Sequence, residues 1–132
     1  MFNNYYRPSN NTTILYVEDN PENRILIQRI LMVEGYDVLF AENALQAMEN
    51  AQNNSIDLIL MDINLPDIDG YTLTSQLRQL PNLSNVPILA LTANVMKGDR
   101  ERSLEAGCDG YIQKPIDVDD LPRQIEDYLQ KR

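Results

Sequence analysis

The chain contains no histidine and no tryptophan, a single cysteine, and only eleven basic residues against twenty acidic ones. Without histidine, Ser-His-Asp and Cys-His catalysis are excluded, and so are histidine metal ligands. The lone Cys108 excludes an internal disulfide and provides no thiolate cluster for zinc, a usage that suits the cytoplasm. A formal net charge of −9 opposes direct binding to nucleic acid or to an anionic membrane surface. No apolar run approaches the ~20 residues of a membrane span, and the N-terminus lacks the basic and apolar segments of a signal peptide. Internal repeats and low-complexity tracts are also missing. The expectation is a cytoplasmic protein.

What is present fits one domain. At 132 residues the chain is long enough for a sizeable core. Residues 1–11 are polar, carry Pro8 and show neither helical nor strand period, which reads as a disordered tail. From residue 12 to 132 strand and helix signals alternate, the mark of a parallel sheet with helices on both faces. Asn20 and Pro21 open a helix with Leu26, Ile30 and Val33 as its apolar stripe, and Gly35 stops it. Val38-Leu39-Phe40 reads as a second strand. Asn43 caps a helix buried through Ala44, Ala47, Met48 and Ala51. Asp69 and Gly70 start a third, with Leu73, Leu77 and Leu80 inward and Pro81 after them. Pro87 lacks a ladder donor and belongs at the very start of the fourth strand. Residues 94–106 form the poorest helix, with only Val95, Met96 and Leu104 to bury, so this element shifts at small cost. The last helix buries Ile125, Tyr128 and Leu129, and Pro122 restricts regular helix to about Asp120 onward.

The chemistry lies where strands end. The run Ile56-Asp57-Leu58-Ile59-Leu60-Met61 reads as a strand buried on both faces, with Asp62 emerging at its C-terminal end. Glu18 and Asp19 leave Ile14-Leu15-Tyr16-Val17 in the same way, Thr92 leaves Ile88-Leu89-Ala90-Leu91, and Lys114 follows Tyr111-Ile112. The C-terminal edge of an open α/β sheet is where such folds hold ligands. Singly, each residue has a plain reading: Glu18 and Asp19 as helix caps, Thr92 as a strand end, Lys114 as a solvated loop lysine. Together they form an acidic pocket with a hydroxyl and an amine. Two carboxylates about 4 Å apart repel by ~4 kcal/mol at an effective dielectric of ~20, so three crowded acids call for a cation. Oxygen ligands suit Mg²⁺, or Mn²⁺, and a carboxylate is a nucleophile able to form an aspartyl-phosphate. Thr92 could donate to a phosphoryl oxygen. No phosphate-binding glycine loop or dinucleotide fingerprint occurs, and Asp62-Ile63-Asn64-Leu65-Pro66 fails as a calcium loop because Pro66 stands where a ligand belongs.

Four segments then carry a specific resemblance: Leu15-Tyr16-Val17-Glu18-Asp19-Asn20, Leu60-Met61-Asp62-Ile63-Asn64-Leu65-Pro66, Ala90-Leu91-Thr92-Ala93 and Gly110-Tyr111-Ile112-Gln113-Lys114-Pro115. In this order and spacing the chain resembles a receiver domain of the two-component response regulators over essentially all of residues 12–132. The resemblance implies a doubly wound, flavodoxin-like (βα)5 fold whose five-stranded parallel sheet has the order 2-1-3-4-5. It implies Asp62 as phosphoacceptor, and Asp19, Asp62 and the Asn64 carbonyl as Mg²⁺ ligands, with Glu18 acting through water. It implies Lys114 pairing with the phosphoryl group across a cis Lys114–Pro115 bond, and Thr92 with Tyr111 as the switch pair. For Tyr111 a plain alternative is an edge-strand ring half buried beside the weak fourth helix, and the two readings are compatible.

The same resemblance implies partners and excludes others. A chain without histidine must receive its phosphoryl group from a partner, a sensor histidine kinase or a histidine phosphotransfer protein. A downstream protein would meet the face made by the fourth helix, fifth strand and fifth helix, which could also form a homodimer. The protein would not be an enzyme acting on external substrates. It would transfer the phosphoryl group to itself and lose it by autodephosphorylation. Two other readings compete. One is a pseudo-receiver that binds partners without phosphorylation. The other is a hydrolase, because Asp67-Ile68-Asp69-Gly70 has the look of a phosphatase loop, although that tetrapeptide follows Pro66 rather than a strand. Two departures from the family pattern are the N-terminal tail and an end at Arg132, directly after the fifth helix, with no output domain expected.

Overall fold

The apolar runs become five parallel strands: β1 (Thr13–Val17), β2 (Asp37–Ala41), β3 (Leu58–Asp62), β4 (Ile88–Thr92) and β5 (Gly110–Gln113). They form one sheet in the order β2-β1-β3-β4-β5, as the resemblance implied. The structure, a computed structural model, describes residues 12–93 and 97–131. The tail reading of residues 1–11, and the burial of Val95 and Met96, lie outside the described residues. Among the described residues, no helix is long and apolar enough to cross a membrane.

The helices are α1 (Pro21–Val33), α2 (Ala44–Asn53), α3 (Gly70–Arg78), α4 (Lys97–Ala106) and α5 (Leu121–Lys131), with a 3-10 turn at Pro81–Leu83. Successive residues of a strand face opposite ways, and the core divides accordingly. Leu15, Val17, Ile59, Met61, Ile88 and Ala90 pack with α2 and α3 on one side. Ile14, Tyr16, Leu58, Leu60, Leu89, Leu91 and Ile112 pack with α1 and α5 on the other. Burying one such aliphatic side chain contributes about 1.5–3 kcal/mol, so the central strands anchor the sheet whose edge carries the polar residues. β3 is shorter than the apolar run predicted. Asp57 precedes the strand, its N–H donating to the Thr13 carbonyl and its carboxylate accepting the Thr13 N–H, both at 2.8 Å, and Ile56 is buried ahead of it.

Two apolar stripes differ from expectation. In α1 the buried residues are Ile27 and Leu31, with Ile30 half-buried, whereas Leu26 is exposed and Val33 is 81% exposed. The Asn20 side chain accepts the Glu22 and Asn23 N–H groups and Pro21 takes the first turn, which fixes the start of the helix, and Ile27 and Leu31 pack on the sheet. With Leu31 inward, Val33 lies about 200° around the axis and faces solvent. In α4 the expected Leu104 is 59% exposed, and among the described side chains of the helix the buried one is Ser103. The Ser103 hydroxyl donates to the Tyr71 hydroxyl at 3.2 Å, and Ser75 donates to the Ala106 carbonyl, so α4 docks on α3 by polar contacts. Gly107 ends α4 at φ 106°, a left-handed turn that L side chains resist.

Elsewhere the expected signals hold. Asn43 caps α2, with Ala47 and Ala51 buried. Leu73 and Leu77 are buried in α3, while Leu80 packs half-buried just beyond it. Pro87 immediately precedes β4, and its carbonyl accepts the Ile59 N–H. Asp117 Oδ1 accepts the Asp119 and Asp120 N–H groups in a turn before α5. Pro122 then sits in the first turn of α5, where the missing N–H has no partner to lose. Leu121 and Ile125 are buried there, with Tyr128 and Leu129 packed at the margin.

Candidate functional site

Every polar residue singled out at a strand end reaches the same edge of the sheet. Val17, Met61, Ala90 and Tyr111 fall in register across β1, β3, β4 and β5, and Asp62, Leu91 and Ile112 in the next row, so the strand ends converge. Glu18 follows Val17, and its N–H is bonded to the Ala41 carbonyl at 2.8 Å. Asp62 is the last residue of β3 and is buried. The Lys114 N–H donates to the Thr92 carbonyl at 2.8 Å, extending the β4–β5 ladder by one step and aiming the lysine back across the edge. The Lys114–Pro115 peptide bond is cis.

Glu18, Asp19 and Asp62 each offer a carboxylate oxygen, and the three oxygens lie within 4.8 Å of one another. Glu18 and Asp62 are buried, whereas Asp19 is exposed, so the cluster opens to solvent on one side. Asp62 Oδ1 accepts the Lys114 ammonium at 3.0 Å and the Asn64 N–H at 3.1 Å. Lys114 is itself only partly exposed, which strengthens the pair relative to a surface ion pair. Glu18 is held through both oxygens: Oε1 accepts the Tyr16 hydroxyl at 3.1 Å and the Asn23 amide at 3.4 Å, and Oε2 accepts the Asn20 N–H at 3.2 Å.

The electrostatics follow from this crowding. Burial pushes the Glu18 carboxyl above its ordinary range, and the facing Asp62 carboxyl adds to this by hydrogen bonding and by charge. The Asn20 N–H and the Lys114 ammonium pull the other way without reversing it. Burial and the neighbouring Glu18 charge also raise the Tyr16 phenol, which therefore stays protonated and donates. One lysine against three acids leaves an excess of negative charge, and the donor set is all oxygen. A hard divalent cation fits such a set, and Mg²⁺ with part of its water shell retained fits best.

Not every expected residue joins the cluster. Thr92 is buried at the end of β4, beside Lys114 through the backbone bond above. Tyr111 lies three residues before Lys114 on β5, is 37% exposed, and has the Arg100 guanidinium 5.9 Å from its ring centroid. The reading of Asp19 as a helix cap gives way to Asn20, which makes both cap bonds. Three contributors carried no strong signal in the sequence. Tyr16 sits inside an aliphatic run, and only its i, i+2 relation to Glu18 hinted at a contact. Asn23 shares a helix turn with Asn20. Gly70 looked like a helix start, yet a Cβ there would lie 2.6 Å from Ile63 Cα and 2.7 Å from the Asp62 carbonyl. Its missing side chain lets α3 close against the backbone that carries Asp62.

A cleft of about 210 Å³ adjoins the acids, walled by Tyr16, Glu18, Asn23, Leu26, Ile27, Lys114, Pro115 and Ile116. A second groove of about 160 Å³ lies between α4, β5 and α5, lined by Arg100, Ser103, Leu104, Tyr111 and Tyr128 among others.

Residues 14–126 match the sequence family described as response regulator receiver domain. The polar-differentiation response regulator DivK of Brucella anthropi is 39% identical over 117 residues, covering 89% of this chain and 95% of its own. The structure of the receiver domain of sensor histidine kinase PA1611 from Pseudomonas aeruginosa, with a magnesium ion coordinated in its active site cleft, superposes with a TM-score of 0.82. It is 41% identical, and the match covers 90% of this chain and 98% of that one. The chemotaxis protein CheY4 of Vibrio cholerae superposes at a TM-score of 0.86 with 25% identity, over 89% and 98% of the two chains.

Proposed function

Because the chain belongs to the response regulator receiver domain family, we propose that Asp62 is its phosphoacceptor and that the surrounding residues serve that one transfer. The observation that carries this reading is the Asp62 carboxylate itself, buried, within 4.8 Å of two further acids and hydrogen-bonded to Lys114 at 3.0 Å. A phosphohistidine on a kinase or phosphotransfer partner supplies the group. An Asp62 oxygen attacks phosphorus, the O–P bond forms, the P–N bond breaks, and the imidazole leaves with the bond's electron pair.

Each neighbour has a part in this scheme. Glu18, Asp19, Asp62 and the Asn64 carbonyl form the set that holds Mg²⁺, and the magnesium-bound receiver of PA1611 is consistent with it. The cation supplies neutralisation of the charge that gathers on the phosphoryl oxygens. Lys114 adds a fixed positive charge, and Thr92 offers a hydroxyl to a phosphoryl oxygen. The domain modifies itself and turns over no external substrate.

Output would leave through the face formed by α4, β5 and α5. The groove lined by Arg100, Leu104, Tyr111 and Tyr128 supports this, because Leu104 and Tyr111 expose apolar surface there. Movement of Thr92 toward the phosphoryl group would let Tyr111 turn inward and change that surface. Its occupant would be a downstream protein or a second copy of the chain. The test is phosphotransfer labelling in Mg²⁺, from a small phosphodonor or a cognate kinase. The native protein should gain one phosphoryl group and D62N none; full labelling of D62N would identify another nucleophile.

A further inference from the structure

Tyr16 is fully buried on β1, two residues before Glu18 and on the face shared with Ile14 and Leu60. An aliphatic side chain would fill such a position without cost. A phenol does so only if its hydroxyl finds an acceptor. It finds Glu18 Oε1 at 3.1 Å, in a contact closed to solvent. Phe40 packs on the ring, with centroids 6.3 Å apart and planes tilted by 55°, so the hydroxyl is delivered to a fixed place. The other Glu18 oxygen is taken by the Asn20 N–H at 3.2 Å.

We infer that Tyr16 is a positioning residue for the divalent-cation site: its hydroxyl fixes the Glu18 carboxylate in the orientation that brings the three acids together. This rests on reading the acid cluster as a Mg²⁺ site. Glutamate has three rotatable side-chain bonds, and a free Glu18 would lose that freedom on meeting the cation. Tyr16, the buried one of the three groups that hold Glu18 beside the Asn20 N–H and the Asn23 amide, would remove part of that loss in advance from beneath the sheet edge. Hydrogen-bond partners behind a ligand act in this way, and their removal typically weakens metal affinity about 10–100-fold.

The experiment is a calorimetric titration with Mg²⁺ of four full-length proteins: native, Y16F, E18Q and the double variant. Y16F is expected to bind Mg²⁺ about tenfold more weakly while keeping its circular dichroism spectrum. The double variant should bind no more weakly than E18Q, because Tyr16 acts through Glu18. Native affinity in Y16F, or the same tenfold loss repeated in the E18Q background, overturns the inference. Should Y16F fail to fold, native protein carrying ¹³C at the tyrosine Cζ answers instead. The Tyr16 resonance should move along the Mg²⁺ binding curve, and a stationary resonance overturns the role. Native protein that binds no Mg²⁺ removes the metal reading and the Tyr16 role with it, whereas native binding with an indifferent Y16F removes the Tyr16 role alone.

Discussion

Lys114 and Asp62 stand 52 residues apart in the chain, yet the lysine ammonium donates to Asp62 Oδ1 at 3.0 Å. The pairing comes from strand order. β4 lies between β3 and β5, so a residue just past β5 must reach across Thr92 to meet the end of β3, and lysine has the length to do so. In K114A we expect Asp62 still to accept a phosphoryl group, because the acid cluster is untouched. The response of a phosphorylation-dependent partner should fall, since the phosphoryl group loses its charged contact. Labelling and partner affinity measured on one preparation separate the two effects.

Asp19 is the exposed member of the acid cluster and the one through which a hydrated cation would enter. D19N should lose most Mg²⁺ affinity in a calorimetric titration and leave thermal stability nearly unchanged. Retained affinity would place the cation away from these acids.

The raised Glu18 carboxyl sets a pH dependence whose sign is fixed. Its folded-state value lies above the ordinary 4.5, so in that window the folded protein binds more protons than the unfolded one. The stabilisation is complete below 4.5 and is lost as pH rises through the folded value. Without metal, the melting temperature should therefore drop on going from acid toward neutral pH, and E18Q should flatten the drop. Mg²⁺ needs the ionised acids, so its affinity should rise over the same window.

Arg78 holds the opposite end of the sheet. Its guanidinium donates to the carbonyls of Gly107, Leu83 and Val86 and pairs with Asp109, whose carboxylate also accepts the Ile88 N–H. R78A would take the guanidinium donor from the Gly107 and Val86 carbonyls, and would leave the Leu83 carbonyl with only the Val86 N–H and the Asp109 carboxylate with only the Ile88 N–H. A loss of about 2–4 kcal/mol in urea unfolding is expected. Phosphorylation of the refolded variant should persist, because none of these groups reaches Asp62.

A second connection runs from the site to α4. Arg102 lies over the Tyr71 ring at 4.7 Å and pairs with Asp69 at 3.3 Å, at the start of the helix that follows the Asp62 loop. Both partners are exposed, so R102A should change stability by less than about 1 kcal/mol. If this contact helps transmit the phosphorylated state, R102A and T92A should each narrow the difference in partner affinity between phosphorylated and unphosphorylated protein. An unchanged difference in both variants would place the signal path elsewhere.

The order of strand-end residues was legible because local rules decide it. Apolar runs bounded by Asp62, Thr92 and Lys114 specify parallel strands. The caps Asn20, Asn43 and Asp69 specify helix starts, since a side-chain oxygen beside free N–H groups needs no tertiary help. Rotational phase was less legible. Leu26 and Val33 read as core from their spacing with Ile30, but packing against the sheet turned Ile27 and Leu31 inward instead. Leu104 read as the anchor of α4, yet Ser103 took that place because Tyr71 offered it a buried hydroxyl. The distances that matter to chemistry belonged to the tertiary structure alone. The lysine's reach to Asp62 and the approach of Gly70 to the Asp62 backbone each join groups whose separation in space is set by packing, which no local pattern records, whereas the Tyr16 bond to Glu18 follows an i, i+2 spacing on one strand face.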